Sequence, residues 1–249
     1  MEWQDRGIII GTRRHGETSL ILEVMTEQRG RHLGLVRGGR SRRQQPVLQP
    51  GNAVELTWRA RLEDHLGTFQ VEPVALAAAR LMEQPSGIYG IQLLGSHLRL
   101  LPERDRHSEL FRAMEVVIEH LCEPEIAGPL MVRFELRLLE ELGFGLDLTA
   151  CAGTGVRDDL AYVSPKSGRA VSRGAGEPWK DRLLALPAFL SGAPAGVPDD
   201  RAMADAFALT AYFLRRDVYE PRAMKEPDER AGFVAAVRRA FVRNGGPNA

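Results

Sequence analysis

The stretch Arg29–Arg43, RGRHLGLVRGGRSRR, begins like a β-strand and ends in a glycine-arginine loop. It contains six arginines and no acidic residue. Glycine adopts backbone angles that fold a loop back on itself, so Gly38 and Gly39 predict a sharp bend after the strand. The stretch therefore predicts a strand, then an exposed basic loop, then a long connection to the next strand.

Five short strands are predicted in the first 80 residues. They are separated by turn signals rich in glycine, proline, asparagine and aspartate. The apolar, β-branched segments are 8–10, 18–25, 32–37, 53–58 and 67–72. Five strands with a long third-to-fourth connection are typical of a small closed barrel. The OB-fold is the commonest five-stranded barrel, and an SH3-like barrel is the alternative.

Beyond residue 80 the apolar period changes from two to 3.6, which predicts helices. Ser108 and Asp199 are expected to be N-caps. The predicted helical segments are 85–101, 107–122, 129–142, 179–190, 199–219 and 227–243.

Residues 146–178 interrupt the helical pattern and predict an irregular insert with a β-hairpin around 160–163 and 170–171. The expected fold class is therefore α+β. A five-stranded OB-fold barrel would occupy residues 1–80, and a mainly α-helical domain that contains the insert would occupy residues 81–249.

The composition is that of an ordinary globular protein. The chain has 249 residues and a formal net charge of zero, with 33 basic and 33 acidic residues. Zero net charge argues against nonspecific polyanion binding over the whole surface, so a nucleic-acid site must come from a local arrangement. No apolar run reaches the ~18 residues of a membrane helix, and the N-terminus lacks a signal-peptide pattern. A cytoplasmic protein with no membrane association is expected.

Motifs that carry catalysis are missing or incomplete. Residues 34–41, GLVRGGRS, resemble a P-loop, but Arg40 replaces the lysine and RRQQP is a poor helix start. The six histidines form no HExxH or His-x-His pattern. Cys122 and Cys151 are too few for a disulfide framework or a four-cysteine metal site. We therefore expect no enzyme activity, no metal and no cofactor.

The basic loop is the candidate binding site. Arginines gathered on a barrel rim form an electrostatic groove for a phosphate backbone. Two further arginines are expected on the turn after the first strand, so the candidates are Arg13, Arg14, Arg31, Arg37, Arg40, Arg42 and Arg43. A solvated flexible loop is the alternative interpretation. Because strand aromatics are scarce, such a groove would bind with little sequence preference and strong salt dependence.

Three segments resemble the N-terminal barrel of the bacterial RecO family: RHGETSLIL at 14–22, TEQRG at 26–30 and LVRGGR at 35–40. A fourth segment, FELRLLEELGFG at 134–145, precedes LDL and Cys151 and resembles the family's junction between helix and insert. The order of barrel, helices, insert and helices also matches. The resemblance covers nearly the whole chain.

The resemblance implies a recombination mediator without catalytic residues. RecO-like proteins bind single- and double-stranded DNA, anneal complementary strands, and work with RecR to load RecA onto strands coated with single-stranded DNA-binding protein (SSB). Their OB barrel is the principal DNA-binding part, which implies that the loop at 37–43 holds phosphates. The helical domain of some members receives the acidic-hydrophobic C-terminal tail of SSB. The arginines that could form the rim of such a pocket are Arg133, Arg137, Arg215 and Arg216.

The insert departs from the family pattern. Many relatives carry a zinc ribbon with two Cys-x-x-Cys pairs, but here the first reads Cys151-Ala-Gly-Thr154 and no cysteine lies near 172–175. A single thiolate cannot build a tetrahedral zinc site. The insert, a zinc-ribbon-like segment that lacks the cysteines, is therefore expected to be held by packing through Leu160, Tyr162 and Val171.

Two other function classes fit the same elements. An OB-type RNA-binding module would show a salt-resistant preference for structured RNA. A scaffold whose barrel binds protein would keep its affinity for DNA when the arginine-rich loop is mutated.

Overall fold

The computed structural model describes residues 1–192 and 196–244. The described residues form two compact units, which divide between Glu123 and Pro124. The predicted division at residue 80 stays a prediction, and the predicted helical domain includes residues 193–195 and 245–249, which lie outside the described residues. No helix among the described residues is long and apolar enough to cross a bilayer.

Five strands of the first unit close into a barrel. They are β1 (Glu2–His15), β2 (Ser19–Thr26), β3 (Gly30–Val36), β4 (Ala53–Arg59) and β5 (Thr68–Ala75). The strand order is β1-β2-β3-β5-β4, and β4 pairs with β1 to complete the closure. Only the pairing of β3 with β5, at Leu35 and Thr68, is parallel. This is the five-stranded OB-fold barrel, and the expected fold class is confirmed.

Strand β1 begins six residues earlier than the predicted segment, at Glu2 rather than Ile8. Charged residues hid its alternation, because one of its inward-facing side chains is Asp5. The Asp5 carboxylate tolerates burial because it accepts hydrogen bonds from the amides of Arg6 (2.9 Å) and Gln28 (3.0 Å). A buried carboxylate in a strand breaks the apolar alternation on which the prediction relied.

The long connection between β3 and β4 closes one part of the barrel core without forming a helix. Leu48 in this connection is 2% exposed and joins the core of Ile9, Leu22, Val24, Val54, Leu56, Trp58 and Phe69. The buried Asn52 amide donates to the carbonyls of Pro46 and Val47, both at 2.9 Å. These turns leave no helix N-terminus for a phosphate, so the P-loop resemblance has no structural counterpart.

Three helices complete the first unit: α1 (Ala78–Leu81), α2 (Pro85–Leu98) and α3 (Ser108–His120). Ser108 is the first residue of α3 rather than its N-cap, which is His107. The Ser108 hydroxyl donates instead to the carbonyl of Glu27 at 3.0 Å. The predicted cap is therefore wrong, because this hydroxyl ties the helix to the β2–β3 turn.

The described residues of the second unit form four α-helices and a three-stranded sheet. These helices and strands are α4 (Pro124–Glu141), β6 (Leu160–Val163), β7 (Ala170–Ser172), α5 (Arg173–Gly176), β8 (Leu184–Ala185), α6 (Asp200–Phe213) and α7 (Asp228–Asn244). The strand order in the sheet is β7-β6-β8. The predicted hairpin is confirmed as β6 and β7. The predicted N-cap Asp199 is also confirmed, since its carboxylate accepts from the amide of Ala202 at 2.7 Å.

Two predicted helices of the second unit differ from the structure. Helix α4 begins at Pro124 and contains Pro129, which had been expected near its first position. Residues 179–190 form two short 3-10 turns separated by β8 instead of one helix. Here β8 pairs with the edge of β6, and this tertiary pairing outweighs the helical periodicity of the segment.

Helices α4, α6 and α7 enclose a buried ion pair. Glu135 is fully buried, and the Arg230 guanidinium donates to its two carboxylate oxygens at 2.8 and 3.0 Å. Arg230 also donates to the carbonyl of Phe207 at 2.9 Å. A buried pair with this many hydrogen bonds fixes the relative positions of the three helices.

Gly30 and Gly38 provide a matched test of packing against the barrel. Both have φ of +66°, so alanine costs roughly 1–2 kcal/mol at either position. A Cβ on Gly30 would overlap the carbonyl of Asp105, whereas a Cβ on Gly38 would meet nothing within 4 Å. We expect Gly30→Ala to lower the free energy of unfolding by about 1–3 kcal/mol more than Gly38→Ala, measured by urea denaturation. Equal losses would show that the segment around Asp105 is not packed on β3.

Candidate nucleic-acid interface

The arginine loop, defined as Arg37–Arg43, leaves the barrel at the end of β3. Arg37, Arg42 and Arg43 are exposed. Within the described part of the chain, none of these three arginines forms an ion pair with a carboxylate. Their positive charges are therefore uncompensated by close partners and available to an anionic ligand.

Arg40 has a different position from the other loop arginines. Its guanidinium donates to the carbonyls of Gly16 (3.2 Å) and Glu17 in the β1–β2 turn. Its backbone amide donates to the carbonyl of Thr18 at 3.0 Å. Three hydrogen bonds thus fasten the arginine loop to the neighbouring turn, and Arg40 holds the loop in place.

Arg13 and Arg14 lie on β1, opposite Ile21 and Leu20 of β2, and not on the turn where they were expected. Both are exposed. Strand β1 extends to His15, so both arginines lie within the strand. This part of β1 pairs with β2 and lies beyond the residues that pair with β4. The sequence prediction of their location was wrong because the length of β1 was underestimated.

A first groove separates the arginine loop from the β1–β2 turn. Its cavity volume is about 640 Å³. It is lined by polar side chains from both walls, with one acid among them: Thr12, Arg14, Glu17, Thr18, Arg40, Ser41, Gln45 and Gln49. Arg14 and Arg40, two of the candidate residues, therefore line the same groove.

Arg31 lies apart from the other candidates. Its side chain is 13% exposed and forms ion pairs with Glu23 at 2.9 Å and Glu103 at 3.6 Å. It also donates to the carbonyl of Leu101 at 3.4 Å. These contacts attach the segment after α2 to β3, so we leave Arg31 out of the proposed interface.

A second groove lies on the other side of the arginine loop and has a cavity volume of about 510 Å³. Its apolar lining includes the partly buried Val71 and the buried core residues Val36 and Phe69. The polar lining comes from the loop and from the outer faces of β4 and β5: Arg37, Arg43, Gln44, Thr57, Arg59, Thr68 and Gln70.

Arg59 was missed as a candidate, although strand alternation in β4 would have placed it outward together with Thr57. Its guanidinium donates to the Glu2 carboxylate at 2.8 Å, and this hydrogen bond lowers the pKa of Glu2. Both side chains are more than half exposed, so solvent screens the pair.

The aromatic side chains of the barrel lie mainly in its interior. Trp58 and Phe69 are 1% and 5% exposed, and the half-buried Trp3 stacks on Trp58 with ring centroids 5.6 Å apart. Burial lowers the pKa of the adjacent His32 to about 4, so this imidazole is neutral at pH 7. The Arg29 guanidinium lies 5.0 Å from the Trp3 ring centroid. Base stacking on Trp58 or Phe69 would require the barrel to open.

A pocket in the second unit contains two of the four arginines proposed for an acidic peptide. Its cavity volume is about 690 Å³, with apolar lining from Leu136, Leu146, Leu148, Phe189 and Leu190. Arg133 donates to the carbonyl of Phe189 at 3.0 Å, and Arg137 pairs with Glu140 at 2.9 Å. Glu140 and Asp147 also line it, so the rim has both signs of charge.

Arg215 and Arg216 do not line this pocket. Arg215 pairs with Glu226 at 2.7 Å. Arg216 pairs with Asp217 at 2.6 Å and lies over the Phe213 ring. The structure therefore groups Arg133 with Arg137 and separates the other two from them.

The insert does not fit a zinc ion. Cys151 is 1% exposed, and its Sγ accepts hydrogen bonds from the Ser172 amide at 3.2 Å and hydroxyl at 3.4 Å. Burial raises the Cys151 pKa, but the hydrogen bonds to sulfur outweigh it and bring the pKa to about 6. Cys122, in the first unit, points to the carbonyl of Arg80. Among residues 1–192 and 196–244, no group of histidine, cysteine and carboxylate side chains could hold a metal.

Comparisons with known proteins identify relatives over most of the chain. A family model described as "Recombination protein O N terminal" matches residues 1–77, and one described as "Recombination protein O C terminal" matches residues 97–226. A protein of Mesorhizobium japonicum named DNA repair protein RecO is 64% identical over 96% of this chain and 94% of its own length. Proteins of the same name from Rhizobium etli and Brucella abortus are 62% and 60% identical, each over 97% of this chain and over 94% and 98% of their own lengths.

We expect the purified chain to contain far less than one zinc ion per molecule, because Ser172 donates to the Cys151 sulfur and the described residues contain no group of side chains that could hold a metal. Elemental analysis checks this, with Cys151→Ser as the control. Removal of a structural zinc by a chelator would lower the melting temperature, because such a metal contributes to folding. Since we expect no structural zinc here, a chelator should leave the melting temperature unchanged. Stoichiometric zinc together with a chelator-induced fall in melting temperature would contradict the expectation.

Proposed function

The chain belongs to the RecO family of DNA repair and recombination proteins, and we propose that its barrel holds the phosphate backbone of DNA on the arginine loop. The observation that carries the proposal is the contrast within that loop. Arg37, Arg42 and Arg43 are exposed without an acidic partner in the described chain, while Arg40 fastens the loop to the β1–β2 turn. A fixed group of uncompensated cations is what backbone binding requires.

The binding would be electrostatic and tolerant of sequence. Phosphate contacts position a nucleic acid without reading its bases. The aromatic side chains that could add base stacking, Trp58 and Phe69, are in the barrel core. The same surface therefore suits single- and double-stranded DNA, and an affinity that falls steeply with salt is expected.

The mediator role needs no catalytic group from this chain. Arginines that neutralise the phosphates of two complementary strands reduce the repulsion between those strands, and this favours annealing. From membership of the family, we further propose that the chain acts together with RecR. Through RecR it would act indirectly with RecA on SSB-coated strands. The cytoplasm, where the chromosome lies in bacteria, is the proposed location.

The pocket of the second unit is the proposed site for the C-terminal tail of SSB. An acidic-hydrophobic tail needs apolar surface next to cations. Leu136, Phe189 and Leu190 supply the first, and Arg133 and Arg137 supply the second. Glu140 and Asp147 on the same lining would disfavour a tail with many acidic residues.

Charge reversal tests the arginine loop. We expect the combined variant Arg37→Glu, Arg42→Glu and Arg43→Glu to weaken single-strand binding. It should lower the slope of log affinity against log salt by roughly 2, because each phosphate contact contributes roughly 0.7. Fluorescence anisotropy of a labelled oligonucleotide at several salt concentrations measures both. The charge-matched control reverses three exposed arginines of the second unit: Arg157, Arg182 and Arg201.

The same two variants test the mediator role in annealing of complementary strands coated with SSB. The wild type and the control should anneal them, and the loop variant should not. An unchanged salt slope in the loop variant would remove the arginine loop from the site. Preference for structured RNA over DNA would favour the RNA-binding alternative, and loop-independent DNA affinity would favour a scaffold.

Substitutions in the second-unit pocket test the proposed tail site. We expect Arg133→Ala to weaken binding of a synthetic SSB tail peptide about tenfold, the effect of losing one charge-assisted hydrogen bond. Arg137→Ala should act in the same direction. Arg215→Ala is the control, because that arginine lies outside the pocket. Titration calorimetry measures the affinities, and equal loss in all three variants would point to general charge attraction instead.

A further inference from the structure

The outer surface of β4 and β5 changes charge along its length. Three cross-strand pairs face outward in register: Arg59 with Thr68, Thr57 with Gln70, and Glu55 with Glu72. The basic end adjoins the arginine loop through the second groove, and the acidic pair lies at the far end. A phosphate backbone would be attracted at the first end and repelled at the other, which limits the contact to the first two pairs.

Among the described residues, none that lines the second groove is acidic. Arg37 and Arg43 approach from the loop, and Arg59 approaches from β4. Thr57, Thr68 and Gln70 add hydrogen-bonding groups between these cations. Such side chains can meet the edges of unpaired bases, so the groove suits a single strand.

The surface that OB-folds commonly use is partly occupied by this chain. Ligands of OB-folds typically bind across strands 2 and 3. Here Arg99 pairs with Glu23 of β2 at 2.7 Å, and the amide of Arg104 donates to the carbonyl of Arg31 on β3 at 2.8 Å. A DNA strand that leaves the arginine loop therefore finds an open basic surface on β4 and β5. The surface of β2 and β3 around Glu23 and Arg31 is covered by the contacts of Arg99 and Arg104.

In the described chain, Glu2 is the one carboxylate that pairs with an arginine of the second groove, namely Arg59. Its contact with Arg59 is solvent-exposed on both sides, with 59% and 51% of the two side chains accessible. Exposed ion pairs are weak, so a phosphate can replace the carboxylate. The replacement would cost Glu2 little, because water then solvates its charge.

We propose that the second groove binds the backbone of single-stranded DNA that continues from the arginine loop, and that Glu2 competes with this backbone for Arg59. The inference rests on the proposed function, which it extends by a separate set of contacts. Glu2 thereby lowers the affinity and eases release of the strand. A mediator that must pass its strand to another protein gains from such release.

Two substitutions with opposite expected effects test this inference. Arg59→Gln should weaken binding of a labelled single-stranded oligonucleotide about fivefold near 0.1 M salt and lower the log-log salt slope by roughly 0.7. Glu2→Gln should tighten binding and slow dissociation, measured by stopped-flow competition. Both side chains are exposed, and circular dichroism verifies that both variants fold.

Arg238→Gln and Asp200→Asn are the matched controls, because these residues form an exposed ion pair of 2.7 Å in the second unit. They change the net charge equally and should leave affinity and slope unchanged. If Arg59→Gln and Glu2→Gln behave like these controls while the arginine-loop reversal abolishes binding, the second groove is excluded and the proposed function stands. If the wild type does not bind DNA, the proposed function fails, and the inference fails with it.

Discussion

The hydrogen bonds of Arg40 to the β1–β2 turn are the constraint on which the candidate interface depends. A loop with two adjacent glycines and four arginines would otherwise sample many conformations, and ordering it on a ligand would cost conformational entropy. The contacts to Gly16, Glu17 and Thr18 order the loop when the protein folds, so this entropy is not lost again on ligand binding. The loop becomes a ridge with a groove on each side, and its remaining arginines acquire defined positions.

The arginines of this chain fall into two groups that composition cannot separate. Arg31, Arg216 and Arg230 each have a carboxylate partner. Arg31 and Arg230 pair with distant segments of their own unit, and Arg216 also donates to the carbonyl of Pro165. Arg37, Arg42 and Arg43 have none among the described residues. A protein of zero net charge can therefore present a basic surface, because some of its cations are paired with carboxylates of their own unit while the exposed arginines of one loop are not.

The architecture was predictable where one physical period dominated. The alternation of apolar and polar residues predicted the five strands. The long connection between the third and fourth strands predicted a closed barrel, because few closed topologies contain such a connection. The prediction failed where a tertiary contact outweighed local pattern. The start of β1 was not predicted because Asp5, a charged residue, is buried there and accepts hydrogen bonds from two backbone amides. Around residues 184–185, the pairing of β8 with β6 forms a strand where a helix was predicted.

The site was predictable as a segment but not as a set of contacts. The absence of acids around Arg37–Arg43 identified the loop, because charge density is visible in sequence. The partners of Arg31 and Arg40 come from distant segments, and no spacing rule connects them. Arg59 was missed because the predicted strand, 53–58, ends one residue before it, although the alternation that buries Trp58 also exposes its neighbour.

Binding of DNA to the arginine loop can be followed by nitrogen-15 NMR of arginine side chains, during titration of the full chain with a short single-stranded oligonucleotide. We expect the Nε resonances of Arg37, Arg42 and Arg43 to shift together on binding and that of Arg31 to stay unchanged. Shifts confined to arginines of the second unit, with the loop resonances unchanged, would contradict a barrel that holds DNA on its arginine loop.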